Sequence, residues 1–164
     1  MATARTTLVL RLIAGAVLAA VLALPASAGQ SASHTVTVRV NAISELTLTG
    51  GDTTLTLSTA TAGRQPDPAT NTDCTLAWTA NPTNIRITVA TNLVSPTFTL
   101  NVVAQSVTGG IAAPEVTLGN TAADLVTGVS RTTGSCTLRY TASATAVQGT
   151  GSDVHTVTYT LTAE

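Results

Sequence analysis

From about residue 30 onward, polar and apolar residues alternate along most of the chain, and no stretch carries a convincing helical period. The segment "SHTVTVRV" places Val36, Val38 and Val40 on one face and Thr35, Thr37 and Arg39 on the other. "ELTLT" and "TLTLS" continue the pattern through Leu46, Leu48, Leu55 and Leu57, with "GGD" between them as a hairpin-type turn. Residues 61–73, rich in Pro, Asp, Asn and Gly, read as a long surface loop. The alternation returns at Cys74, Leu76 and Trp78, then at Ile85, Ile87 and Val89, and then at Phe98, Leu100, Val102 and Ala104. It weakens across the glycine-rich region 108–121, where "EVTL" and, just beyond, "LVTGV" are short candidate strands. It sharpens again at Cys136, Leu138, Tyr140 and Ala142, and finally at Val157, Tyr159 and Leu161. Strands separated by turn signals every 8–12 residues or so are the mark of a sandwich or barrel. The pattern predicts an all-β fold: one antiparallel β-sandwich, Ig-like, of roughly seven to nine strands.

Two phrases recur within this pattern. "CTLAWTA" at 74–80 is echoed by "CTLRYTA" at 136–142, and "HTVTVRV" at 34–40 by "HTVTYTL" at 155–161. The echoes run in mirror order at unequal intervals, which rules out a solenoid repeat. Cys74 and Cys136 both fall on the apolar parity of their strands, so both thiols are expected in the core. In an exported chain they are expected to form one disulfide. Closing a loop of that length stabilises by about 4 kcal/mol on the chain-entropy model. Spacing leaves open whether the bridge joins neighbouring strands or crosses between sheets.

Export is suggested by the first residues. Arg5 and Arg11 precede an uncharged apolar run from Leu12 to Leu24, and Ala26-Ser27-Ala28 supplies small residues for cleavage. The run is shorter than the roughly 20 residues that span a bilayer. The expectation is a secretory signal peptide over 1–28, cleaved after Ala28, followed by a single domain over 29–164 and a secreted or cell-surface product. Beyond the leader, lysine is absent and five arginines face eight carboxylates. Such a surface offers no footprint for nucleic acid or, after signal cleavage, for an anionic membrane. The mature part carries 32 threonines, a β-type composition in which T-x-T pairs form the wet face of a sheet.

Candidate chemistry is sparse. His34 and His155 open the two terminal alternating segments and are the one pair that invites a metal or pH role, but no third ligand is apparent. Asp52, Asp67, Asp73, Asp124 and Asp153 sit where turns favour aspartate, without calcium-loop spacing. There is no G-x-S-x-G elbow. Trp78, Phe98, Tyr140 and Tyr159 all lie on apolar parities and read as core, not as exposed stacking platforms. No catalytic residue, metal site or cofactor is expected, and the chain reads as non-enzymatic.

The closing stretch "GTGSDVHTVTYTLTAE", a Thr/Val/Tyr strand after a glycine-rich turn with Gly151 ahead of it, resembles the C-termini of secreted β-sandwich subunits of bacterial surface fibres, the fimbrial or pilin-like group. The chain differs from that group in having Ala163 where an aromatic is usual, and in its widely spaced cysteines. The resemblance implies a structural or adhesive extracellular protein that associates with itself or with other cell-surface proteins. A fibre subunit would assemble through a terminal strand, with Val36, Val38 and Val40 as anchors. The alternative is a monomeric secreted module that recognises a glycan or protein through loops 61–73 and 108–121.

Overall fold

A computed structural model describes residues 30–164. The expected signal peptide and its cleavage point lie outside the described residues. The chain divides into two units between Val38 and Arg39. Of the first, residues 30–38 are exposed and carry no strand. The second is all-β: β1 Ser44–Thr49, β2 Ala69–Ala80, β3 Ile85–Thr91, β4 Thr99–Thr108, β5 Ile111–Ala112, β6 Val116–Thr117, β7 Ala123–Val129, β8 Thr132–Ser143 and β9 Val157–Ala163, with one 3-10 turn at Ala146–Gln148.

The strands form two antiparallel sheets, a five-stranded one in the order β1-β2-β8-β4-β6 and a four-stranded one in the order β5-β7-β3-β9. The period-two pattern is used as expected. Leu76, Leu138 and Val102 from the first sheet, with Ile87, Val89, Leu125, Val126 and Val129 from the second, are fully buried between them. Burying each such side chain contributes about 1.5–3 kcal/mol. Thr75 and Thr137 pair on the outer face, where β-branched hydroxyl residues suit a wet pleated surface. Trp78 lies opposite Gly134, and a Cβ on Gly134 would fall 2.5 Å from the indole ring, so the missing side chain makes room for the tryptophan.

Three expected elements differ. The alternating segment 34–40 forms no strand, and the sheet begins at Ser44. "TLTLS" forms none either: β1 pairs with β2 through six register pairs, and Leu55 and Leu57 are half-buried without joining a ladder. Gly50 explains the departure. At φ +116° it lies so close to Asp73 and Cys74 that no side chain fits, and it directs the chain away from a hairpin. The expected loop 61–73 is shorter than its composition suggests, because Ala69, Thr70 and Asn71 already pair with Ala142, Thr141 and Tyr140. A bulge between Asn71 and Cys74 takes up the extra residue. There the Asn71 side chain donates to Asp73 Oδ2 (2.6 Å) and accepts from the Asp73 backbone N–H (3.0 Å).

Candidate functional site

The two long sides of the sandwich are built differently. On one side the chain runs from β5 in the four-stranded sheet to β6 in the five-stranded sheet, so both edges are two residues long and are stitched together by covalent connection. Glu115, in that crossing, accepts from Arg139 (3.2 Å) and from the Asn101 side chain (3.3 Å). On the other side the edges are β1 and β9, six and seven residues long, and they approach each other. Neither carries a bulge in its pairing, a proline or a lysine. Edge strands are ordinarily blunted by such devices.

β9 is held in place at both ends. At its start the Asn92 backbone N–H donates to Thr156 O (3.1 Å) and the Thr156 N–H donates to Asn92 Oδ1 (2.8 Å), while Thr91 Oγ1 and His155 Nδ1 lie 3.1 Å apart. At its end Glu164 donates its N–H to Asn84 O (2.8 Å) and accepts from the Gly128 N–H (2.7 Å). Between these ties seven residues pair with β3 without a register shift. Its inward residues Val157, Tyr159 and Leu161 are only half-buried, whereas Ile87 and Val89 on the neighbouring strand are closed off. A strand with a neighbour on one side only leaves part of its apolar face open.

Ahead of β1 the backbone is anchored and then free of any ladder. The Ile43 N–H donates to Asn81 Oδ1 (2.7 Å), Asn81 Nδ2 donates to Asn41 O (2.7 Å), and the Asn81 N–H donates to Ile43 O (3.1 Å). Before this clamp come the three expected anchors, Val36, Val38 and Val40, which are 71%, 83% and 72% exposed.

The cysteines behave differently from expectation. Both are buried, and they lie on neighbouring strands, but they are free thiols. Cys74 is opposite Leu138 and Cys136 opposite Leu76, so the pair is diagonal. Diagonal positions stand about 7–8 Å apart, beyond the Cα separation that a disulfide spans without moving the backbone. Each thiol has its own surroundings: Cys74 Sγ donates to Gly51 O (3.8 Å) and lies 3.6 Å from Thr53 Oγ1, while burial pushes the Cys136 thiol up to about 11, against a lowering contact with the Leu76 backbone. A thiol so disfavoured as thiolate is an unreactive core residue.

Nearby, the Tyr140 and Tyr159 hydroxyls hydrogen-bond across the two sheets, and burial raises both phenols above their ordinary range. This inter-sheet tether is not readable from sequence, because parity reports only that both rings face in. Of the two histidines, His155 is engaged with Thr91, and His34 lies in the segment without a strand. Among the described residues no group of His, Cys, Asp or Glu is arranged to hold a metal ion. The two loops expected to form a recognition edge do not remain whole: 69–73 enters β2, and 108–121 is divided by β5 and β6.

The arrangement defines a two-sheet antiparallel β protein with an unprotected edge and an unpaired alternating arm. Comparison with protein-family models, with curated proteins and with solved structures gives no match for this chain.

Proposed function

We propose that this chain is a non-enzymatic structural or adhesive protein of the cell exterior, and that it assembles into fibres through its N-terminal arm, residues 34–40. The observation that carries this reading is the exposure of Val36, Val38 and Val40 on a segment with strand alternation and no ladder. Three exposed valines in register are costly to leave in water, at about 25 cal/mol per Å² of apolar surface, unless something covers them. Pairing with another copy covers them and satisfies the arm's backbone groups together. The leader-like N-terminus and the resemblance of the C-terminal strand to fimbrial subunits agree with export and with assembly at the cell surface.

The test compares the chain starting at Gly29 with one lacking residues 29–40, by negative-stain electron microscopy and light scattering. Oligomers or fibres that grow with concentration in the first and are absent from the second are expected. A chain that stays monomeric at every concentration while binding a defined glycan or protein would replace this reading with that of a secreted recognition module.

A further inference from the structure

Resting on that reading, we infer that the seat of the arm is the outer edge of β9 in a second copy, where residues 34–40 pair antiparallel to Val157–Ala163. The lengths agree, seven residues against seven. The faces agree as well. With Val36, Val38 and Val40 turned inward, they extend the half-buried apolar row of Val157, Tyr159 and Leu161. Thr35 and Thr37 then fall on the outer face opposite Thr162 and Thr160, where cross-strand threonine pairs are favourable, and Arg39 falls opposite Thr158.

Of the two open edges, β9 is the better acceptor. It carries no charged residue between Val157 and Ala163, its register with β3 is unbroken, and both its ends are tied down, so the edge is a fixed template. β1 carries Glu45 and is one residue shorter.

The root of the arm explains why the partner is a second copy. Asn41 and Ile43 are clamped to Asn81, in the β2–β3 turn. The last residue of β9 lies at that same end, since Ala163 pairs with Ile85 and Glu164 bonds to Asn84. A segment leaving this root and returning along β9 of its own chain would run parallel to it. Every strand pairing among the described residues is antiparallel, and parallel pairs are the weaker kind per residue. An arm arriving from another molecule has no such constraint.

Hydrogen exchange with mass spectrometry tests this on the chain starting at Gly29, beside the same chain carrying Val36→Asp/Val38→Asp/Val40→Asp. The substituted side chains are exposed, and circular dichroism verifies that the variant folds. Amides of 157–163 are expected to exchange about tenfold more slowly in concentrated wild type than in the variant, with 44–49 unchanged. A synthetic peptide of residues 33–41 added to the variant is expected to restore that protection. Assembly with protection on 44–49 alone would overturn β9 as the seat while sparing arm-driven assembly. Protection of 157–163 in a monomeric wild type, independent of concentration, would assign the edge to the chain's own arm. Absence of both assembly and protection, with no effect of the peptide, would overturn the arm reading itself.

Discussion

The two long sides of this sandwich solve the same problem in opposite ways. Where β5 and β6 form the edges, the strands shrink to two residues each, the backbone crosses from one sheet to the other, and Arg139, Asn101 and Glu115 close over the crossing. Where β1 and β9 form the edges, the strands are long, regular and bordered by half-buried apolar side chains. A protein that must stay monomeric has reason to blunt both sides. One blunted side and one open side would give the proposed assembly a direction.

The contrast can be broken most severely at the stitched side. Gly109 has φ +66°, and a Cβ there would fall 2.4 Å from Thr133 O, so Gly109→Ala meets both backbone strain and a clash with rigid main chain. It is expected to destabilise by about 3 kcal/mol in urea unfolding, at the upper end of overpacking costs. A loss below about 1 kcal/mol would show that the crossing is not tightly held.

The seam between the sheets gives the next effect. Tyr159→Phe leaves the buried Tyr140 hydroxyl without its partner and is expected to cost about 1–3 kcal/mol in urea unfolding. The same seam sets an alkaline limit. Burial raises Cys136, Tyr140 and Tyr159, so folding favours their protonated forms. Their contribution is intact below the ordinary thiol value of 9.0 and is lost as pH rises towards about 11 for Cys136. Melting temperature is therefore expected to hold from neutral pH to near 9 and to fall beyond it, and a flat profile to pH 11 would contradict the burial of these groups. The smallest effect belongs to Arg139→Ala. Its ion pair with Glu115 joins two side chains about 40% exposed, and its loss is expected to cost no more than about 1 kcal/mol, less at high salt.

How far the sequence discloses this arrangement depends on whether one face of a segment is buried. β2, β3, β4, β8 and β9 are legible because Leu76, Ile87, Val102, Leu138 and Tyr159 repeat every second residue against a core. Residues 34–40 alternate just as cleanly, yet form no strand, since alternation records the capacity to pair and not the presence of a partner. The burial of both cysteines follows from the same parity. Their failure to bridge depends on register, which the bulge between Asn71 and Cys74 shifts and which no spacing rule reports. The open β9 edge was equally out of reach: strand order is a property of long-range packing, and only the topology separates an edge strand from a central one.

Sedimentation velocity over a wide concentration range, on the chain starting at Gly29 and on Val36→Asp/Val38→Asp/Val40→Asp, is the most direct test of whether the open side is completed by another copy. The wild-type sedimentation coefficient is expected to rise with concentration, and the variant to remain monomeric with unchanged melting temperature. A wild type that sediments as a monomer throughout, indistinguishable from the variant, would contradict completion by another copy.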